Sequence, residues 1–209
     1  MIIDLTHPLK DNITVYPGTI KPRFEVGNTI EKDGFAELNM SMCTHTGTHI
    51  DAPSHIIKGA KSLDAFPVDK FIGRGIVIDC VKKKSIELDY LATYTDKINS
   101  IEFILFYTGW QNKWNTPNYF DPFPTLTTEA VQWLLKFKLK ALGFDAISVD
   151  AMQEETLPNH HLLLPKEVLI IENMTNLDQL IGKEFELNCI PLLISAADGS
   201  PVRAFARIL

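Results

Sequence analysis

The stretch Ile101-Glu-Phe-Ile-Leu-Phe-Tyr107 is strand-length, mostly apolar and rich in β-branched and aromatic side chains. Similar short apolar runs recur along the chain: Gly75-Ile-Val-Ile-Asp79, Ala146-Ile-Ser-Val149, Val168-Leu-Ile-Ile171 and Ile190-Pro-Leu-Leu-Ile194. Because each run is mostly apolar on both of its alternating sides, it is predicted to be a β-strand that is covered on both faces of a sheet.

Helical patterns lie between these runs, and the clearest extends from about Thr128 to Leu142. Thr127 is a suitable N-cap for this helix, and Gly143 is a suitable residue to end it. A second helix is predicted over Leu88 to Ile98. Since strands and helices broadly alternate, the sequence predicts the α/β class, although the order of the strands does not follow from the pattern.

The length and composition indicate an ordinary globular protein. The 209 residues contain no internal repeat, low-complexity tract or linker-like stretch, so we predict one domain over residues 1–209. Hydrophobic residues make up 45% and charged residues 22% of the chain, and these fractions argue against disorder. The formal net charge of −6 argues against nucleic acid as a partner, because nucleic-acid binding needs basic patches.

No targeting segment or membrane span is visible in the sequence. No apolar run approaches the ~20 residues that a membrane helix needs, so no membrane partner is predicted. The three cysteines, Cys43, Cys80 and Cys189, are odd in number and widely spaced. They therefore predict small buried side chains rather than a disulfide framework or a thiolate zinc site, and a cytoplasmic location.

The segment from Trp110 to Pro124 has three prolines, five aromatic residues and no regular period. We interpret it as a long surface loop, and loops of this length are uncommon unless they are functional. Two roles stay open for it: a wall of a substrate pocket, or an aromatic plug over the core.

Four potential metal ligands fall within the eleven residues His45-Thr-Gly-Thr-His49-Ile-Asp51-Ala-Pro-Ser-His55. Glycine, threonine and proline in this run oppose a helix. On a straight strand His45 and His49 would stand ~13 Å apart, too far for two ligands of one ion. We therefore predict a strand through Leu38 to Cys43 and then a tight turn at Gly47, which tolerates positive φ.

Two imidazoles and a carboxylate form a ligand set that suits Zn²⁺, Mn²⁺ or Fe²⁺. Three protein ligands, His45, His49 and Asp51, leave a position open for water, which is typical of a catalytic rather than a structural site. Water bound to such an ion loses a proton near neutral pH and becomes a nucleophile. The imidazole of His55 has the right chemistry to move protons at that pH.

The remaining clustered histidines, His160 and His161, precede a predicted strand that ends at Glu172. A carboxylate that closes a buried strand is costly unless it is paired or bound to metal, and strand ends are common positions for α/β active sites. One of the two histidines could join Glu172 in a second metal site that Asp51 bridges. The alternative is an exposed histidine pair with a salt-bridged glutamate.

The chain resembles the cyclase family of metal-dependent hydrolases, and especially its kynurenine formamidase (arylformamidase) branch. The run from His45 to His55 matches the signature His-x-Gly-Thr-His-x-Asp-x-Pro-x-His at every fixed position. The resemblance also covers Ile3-Asp-Leu-Thr-His-Pro8, Val15-Tyr-Pro-Gly18, Phe144-Asp-Ala-Ile-Ser-Val-Asp150, Leu157-Pro-Asn-His-His161 and Glu172-Asn, so it runs over nearly the whole chain.

This resemblance implies a β-rich, swivelling β/β/α cyclase-like fold, two divalent metal ions per chain, with zinc favoured over manganese, and a homodimer or higher homo-oligomer. It implies that Asp51 bridges two sites and selects His160 over His161. By position, the implied metal ligands are His45, His49, Asp51, His160 and Glu172. His55 matches the general acid/base, and Tyr16 falls where the formamidases carry an aromatic residue, commonly Trp, against the substrate ring.

The implied activity is that of an arylformamidase in tryptophan catabolism, which converts N-formyl-L-kynurenine and water to L-kynurenine and formate. The partner would then be a small-molecule amide. Tyr16 departs from the usual Trp, so a related hydrolase of cyclic amides or imides, similar to the isatin hydrolases, or a lactonase stays open as an alternative. A further alternative is a metal-binding or scaffold protein without enzymatic activity, which predicts bound metal and no turnover.

Overall fold

The computed structural model describes residues 1–209, the whole of the chain. Its strands are β1 Ile2–Asp4, β2 Arg23–Asn28, β3 Glu37–Ser41, β4 His49–Asp51, β5 Ile72–Asp79, β6 Phe103–Tyr107, β7 Ala141–Phe144, β8 Leu169–Glu172, β9 Phe185–Asn188, β10 Gly199–Pro201 and β11 Phe205–Ile208. Its α-helices are α1 Ile30–Asp33, α2 Leu88–Ala92, α3 Thr95–Ile98, α4 Thr128–Leu134 and α5 Pro158–Leu163. Even α4, at seven residues, is far too short to cross a bilayer, and no helix has the length and apolar character to do so.

Nine strands form one sheet in the order β1-β11-β9-β5-β6-β7-β8-β4-β10. The central strands β5 to β8 are parallel to one another, whereas every outer pair is antiparallel. The other two strands, β2 and β3, form a separate antiparallel hairpin. Parallel central strands joined by helix-containing connections confirm the predicted α/β class.

The central strands are buried on both faces, as their apolar runs predict. In β6, Phe103 and Leu105 belong to one core cluster, whereas Ile104 and Phe106 belong to another. The second cluster includes helical residues such as Val131 of α4, so the helices cover that face. The first cluster contains Ile50 of β4 together with residues of β1 and β11 from the opposite end of the strand order. The sheet therefore curls around the first cluster.

Three of the five apolar runs form strands, and two predictions are wrong. The runs at 75–79, 101–107 and 168–171 are confirmed as β5, β6 and β8. Ala146–Val149 is not a strand, because the chain bends out of the sheet after Phe144 and the Ala146 carbonyl accepts from the Asn173 amide. Ile190–Ile194 makes only a single bridge, between Pro191 and Val202, since proline has no amide proton for a ladder.

The helix predicted over Thr128 to Leu142 is half the expected length. Its start is confirmed, because the Thr127 hydroxyl caps α4 by accepting from the Ala130 amide at 3.2 Å. The helix ends at Leu134, and Ala141 to Phe144 form a strand in the middle of the sheet. Gly143 is not a helix terminator: a Cβ at this position would lie within 2.6 Å of the side chains of Leu105 and Met174. The second predicted helix is two short helices, α2 and α3.

The surface loop predicted over Trp110 to Pro124 is largely an aromatic plug. It contains two 3₁₀ turns, Trp110–Lys113 and Pro117–Phe120. The ring of Tyr119 is fully buried and that of Phe123 is nearly so, and both pack against Ala146 and Ile147 after β7. The plug therefore covers the carboxyl end of β7, where the chain leaves the sheet.

Candidate metal centre

The histidine-rich segment turns at Gly47 before it enters the sheet, as its spacing predicts. Gly47 has a φ of +67°, and a Cβ there would lie 2.7 Å from the Leu9 side chain, so both backbone and packing require glycine. The chain then forms β4, in which His49 and Asp51 point to one side and Ile50 points into the core.

His45, His49 and Asp51 converge after this turn. Their ligand atoms all lie within 4.8 Å of one another. The Nδ1 atom of His45 is 2.7 Å from Asp51 Oδ1, and the Nε2 atom of His49 is 3.3 Å from the same oxygen. These three residues therefore form one group that could hold a cation.

A second group shares Asp51. Glu172 ends β8 directly opposite His49 of β4 in the antiparallel register, so strand pairing alone brings these two side chains together. His160 lies on α5 and faces both carboxylates, with its Nε2 atom 3.8 Å from Asp51 Oδ2 and 3.7 Å from Glu172 Oε1. Its neighbour His161 is exposed on the helix surface. The structure thus brings His160, and not His161, to the cluster.

The surroundings of the Asp51 carboxylate test whether these residues fit a metal ion. The Asp51 carboxylate is buried, yet neither of its oxygens has a hydrogen bond of acceptable geometry. Burial of an unsatisfied carboxylate is costly unless a cation compensates for it. One oxygen faces the first group and the other faces the second, and imidazole and carboxylate are the ligands that Zn²⁺ and Mn²⁺ take. The donor set therefore fits divalent metal at both groups, which share Asp51.

Each imidazole of the cluster has its second nitrogen held by an acceptor outside the cluster. His49 Nδ1 lies 2.8 Å from the Gly47 carbonyl oxygen, and His160 Nδ1 lies 2.7 Å from Asp150 Oδ2. His45 is turned the other way, with Nδ1 toward Asp51 and Nε2 3.2 Å from Asp198 Oδ2. Such outer acceptors fix the tautomer and the orientation of ligating histidines.

The charges of the cluster perturb its pKa values strongly. Burial opposes a charged His45, but Asp51 and Asp198 outweigh burial and raise its pKa to about 9. Burial likewise opposes a charged His160, and Asp150 and Asp51 raise its pKa to about 10. Burial and the neighbouring Asp51 raise the pKa of Glu172 to about 7. Without a cation, protons on His45 and His160 compensate the carboxylates, so metal binding and proton release are coupled.

His55 lies beside the cluster without joining either group around Asp51. The 3₁₀ turn Pro53–His55 places its ring 4.0 Å from the ring of His45, centroid to centroid. Its Nδ1 atom is 3.7 Å from Asp198 Oδ2, an ion-pair rather than a hydrogen-bond distance. Burial lowers the pKa of His55, so a neutral ring faces the cavity.

The cluster forms the floor of a cavity of about 520 Å³. Tyr16 lies on its wall and is 42% exposed, so the residue expected to contact substrate does border the cavity. The cavity has an apolar part and a charged rim, and no lysine or arginine lines it. The lining residues are Thr14, Val15, Tyr16, Thr19, Cys43, His45, His49, His55, Ile147, Ser148, Glu154, Glu155, Leu157, His160, Glu172 and Asn173.

Three residues that support the ligands are absent from the predicted site: Asp150, Asn173 and Asp198. Asp150 closes a nearly uncharged run, and a carboxylate in such a place needs partners, so this signal was available. Asn173 has a φ of +56°, and its side-chain amide donates to the Gly47 carbonyl at 3.0 Å. Asp198 follows two alanines in a turn-like stretch that carries no comparable signal.

Comparisons with known proteins agree with the resemblance in the sequence. The family model described as "Putative cyclase" matches residues 3–151. A kynurenine formamidase from Bacillus cytotoxicus is 33% identical over 208 residues, which cover 99% of this chain and 97% of the relative.

Solved structures with the same fold include isatin hydrolase A from Labrenzia aggregata bound to benzyl benzoate, at a TM-score of 0.87 and 28% identity over 99% of this chain and 93% of that one. An isatin hydrolase bound to the product analogue thioisatinate also has a TM-score of 0.87, at 27% identity over 100% and 92% of the two chains. The cyclase-like fold is thereby confirmed. A family match over more than half of the chain and a relative one-third identical over nearly its full length show that this chain belongs to the cyclase family.

Proposed function

We propose that the protein is an arylformamidase that hydrolyses N-formyl-L-kynurenine to L-kynurenine and formate. The observation that carries this proposal is the buried Asp51 carboxylate, which accepts no well-formed hydrogen bond and whose two oxygens face two ligand groups on the floor of the cavity that His55 lines. The name of the Bacillus cytotoxicus relative, kynurenine formamidase, supports the choice of substrate.

We further propose that each chain holds two divalent ions, zinc foremost and manganese as the alternative. His45, His49 and Asp51 would hold the first ion, and Asp51, His160 and Glu172 the second. When bound, such ions supply Lewis acidity, which activates water and polarises the amide carbonyl. One ion per chain under metal-replete conditions would contradict the second site.

In the proposed reaction the formamide C–N bond breaks, the oxygen of water joins the formyl carbon to give formate, and the aryl nitrogen takes up a proton. The neutral His55 ring is placed to accept a proton from the attacking water and to pass it to that nitrogen, since it borders both the cavity and the cluster without being a member of the Asp51 groups. Tyr16 lies on the cavity wall and would contact the aromatic ring of the substrate. The apolar side chains of Val15, Ile147 and Leu157 would shield the reacting groups from bulk water.

Substitution of His55 tests the proton-transfer role. We expect His55→Ala to lower kcat for N-formyl-L-kynurenine by about 10²–10⁴-fold, because a positioned acid is lost, while zinc content stays at the wild-type level. His161→Ala is the matched control, since His161 is exposed and turned away from the cluster, and it should leave kcat unchanged. A His55→Ala enzyme with wild-type turnover would refute the assigned role.

A second candidate is a hydrolase of cyclic amides, which the TM-score of 0.87 and 28% identity to isatin hydrolase A favour. A lactonase belongs to the same group of alternatives. Assays of the metal-loaded protein on N-formyl-L-kynurenine, isatin, simple cyclic imides and lactones would separate these substrates by kcat/KM. Bound metal without turnover on any of them would instead favour the metal-binding protein without enzymatic activity.

We also propose that the protein is a homodimer or a higher homo-oligomer. The hairpin of β2 and β3 supports this proposal, because strand pairing puts Phe24 opposite Met40 and Val26 opposite Leu38, which makes one of its faces apolar. On that face Val26, Leu38 and Met40 are exposed in the monomer, and Phe24 is half-buried. The cytoplasmic location stays a prediction.

A further inference from the structure

Asp198 lies on the far side of His45 from Asp51. It precedes β10, whose Gly199 is paired with Asp51 of β4 in the sheet register. The Asp198 backbone carbonyl accepts from the Ala52 amide at 2.9 Å, and its Oδ1 accepts from the Thr44 hydroxyl at 2.9 Å. Both the main chain and the side chain of Asp198 are therefore held in place by hydrogen bonds that do not involve His45.

His45 is held between two carboxylates. Its Nδ1 atom is 2.7 Å from Asp51 Oδ1, and its Nε2 atom is 3.2 Å from Asp198 Oδ2. The other two imidazoles of the cluster, those of His49 and His160, have the opposite orientation, with Nε2 toward the shared carboxylates. The unusual orientation of His45 therefore coincides with the presence of Asp198.

Gly199 makes room for this orientation. A Cβ at position 199 would lie 2.6 Å from Cε1, 2.8 Å from Nε2 and 3.1 Å from Nδ1 of His45, all closer than ordinary packing allows. The φ of Gly199 is not in the left-handed region, so its backbone conformation does not require glycine. Glycine is thus required at position 199 because the His45 ring leaves no room for a Cβ.

We propose that the pair Asp198-Gly199 is a positioning element for His45. Asp198 accepts the Nε2 proton and so fixes the tautomer that offers the Nδ1 lone pair to the first metal ion, and Gly199 lets the ring approach the backbone of β10 closely. This inference rests on the metal sites of the proposed function. Loss of such an outer hydrogen bond typically weakens metal binding about 10–100-fold.

Alternatively, Asp198 could itself be a metal ligand. His45, His55 and Asp198 also bring ligand atoms within 4.8 Å of one another. That arrangement requires His45 to bind a cation through Nε2, whereas the positioning role requires a proton on that nitrogen. The two roles therefore predict opposite states of the same atom.

The test combines Zn²⁺ affinity with the tautomer of His45 in the zinc-loaded protein. We expect Asp198→Ala to weaken Zn²⁺ binding at the first site about 10–100-fold in chelator competition, without loss of a whole ion at saturating zinc. Asp198→Asn should weaken it less, because the amide oxygen still accepts, and Gly199→Ala should weaken it by moving the ring. Asp69→Asn, an exposed carboxylate far along the chain, is the charge-matched control and should change nothing.

Long-range ¹H–¹⁵N spectra of the zinc-loaded wild type should show His45 protonated at Nε2 and His49 and His160 protonated at Nδ1. Metal at His45 Nε2, loss of one whole ion in Asp198→Ala, or unchanged affinity in both Asp198→Ala and Gly199→Ala would overturn the inference. If Asp198→Ala does not fold, Asp198→Asn and the wild-type spectrum carry the test. Weakened zinc binding in a protein that hydrolyses no formamide would contradict only the proposed function.

Discussion

His7 is a buried histidine outside the metal cluster. It is only 8% exposed, its ring stacks on that of Trp114 at 4.2 Å with an interplanar angle of 8°, and its Nε2 atom has no hydrogen-bond partner. Burial without a partner disfavours the charged imidazole and lowers the pKa of His7 to about 4. The folded protein therefore keeps this ring neutral well below the ordinary pKa of histidine.

This depressed pKa predicts a loss of stability in mild acid. Between pH 6.5 and 4 the unfolded chain binds a proton at His7 that the folded chain does not. The contribution of His7 to the free energy of unfolding is therefore complete above pH 6.5 and falls as the pH is lowered toward 4. The loss should be about 3 kcal/mol across this window. Urea unfolding at pH 7.5, 5.5 and 4.5 should show a shallower pH dependence for His7→Phe than for wild type. His161→Phe is the control, and equal slopes for His7→Phe and wild type would contradict the prediction.

Site residues could be predicted from sequence where the ligands are close in the chain. His45, His49 and Asp51 fall within seven positions, and the turn that joins them follows from the reach of a strand and from Gly47. Asp198 could not be predicted, because it is 153 positions from His45 and only the pairing of β10 with β4 brings them together. Local spacing thus predicts ligands, whereas outer acceptors depend on the tertiary fold.

The aromatic plug over 110–124 is connected to the cluster by hydrogen bonds. The buried Tyr119 hydroxyl donates to Asn173 Oδ1 at 2.8 Å, and Asn173 Nδ2 donates to the Gly47 carbonyl at 3.0 Å. The same carbonyl lies 2.8 Å from Nδ1 of His49. The plug thereby helps to hold the turn that orients a predicted metal ligand.

Loss of the Tyr119 hydroxyl should destabilise the protein more than it affects the metal site. We expect Tyr119→Phe to lower the free energy of unfolding by about 1–3 kcal/mol, because Asn173 Oδ1 stays buried without its donor. Since Asn173 keeps its bond to Gly47, Zn²⁺ affinity should fall less than in Asp198→Ala. Urea unfolding and chelator competition measure the two effects. Tyr16→Phe, at a half-exposed position, should leave stability unchanged; an equally stable Tyr119→Phe would rule out the hydrogen-bonding role.

Element predictions succeeded where burial and local pattern agree. The run 101–107 is apolar on both sides and lies in the middle of the sheet, whereas Ala146–Val149 is equally apolar but is buried under the plug instead. The pattern at 128–142 continues past the true helix end because Leu139 and Leu142 are also buried, Leu139 in an irregular segment and Leu142 in β7. Apolar spacing reports burial, and it does not distinguish which element is buried.

At the scale of the whole molecule, the candidate site is assembled by the order of the strands. The four central strands are parallel, but only the antiparallel addition of β4 beside β8 puts His49 opposite Glu172. The addition of β10 beyond β4 then brings Gly199 against His45. Neither pairing has a local signature, because both join segments more than a hundred residues apart, so the sequence alone left the strand order open.

The exposed hairpin predicts how two chains associate. Every residue of β3 is exposed, and the apolar face of the hairpin includes Val26 at 69%, Leu38 at 54% and Met40 at 62% exposure. An isolated two-stranded hairpin is at best marginally stable in water, and an apolar face of this kind is typical of an interface. We therefore expect β2 and β3 to pack against a second copy of the chain.

Charge on this apolar face should separate the copies. Light scattering during size exclusion at micromolar concentration should give wild type at least twice the 23.6 kDa of one chain, and the double variant Leu38→Glu, Met40→Glu a mass near one chain. The control Asn39→Glu adds a carboxylate to the same strand on the opposite face, since Asn39 pairs with Glu25, and it should keep the wild-type mass. A monomeric wild type would contradict the association. A double variant that keeps the oligomeric mass would place the interface on another surface.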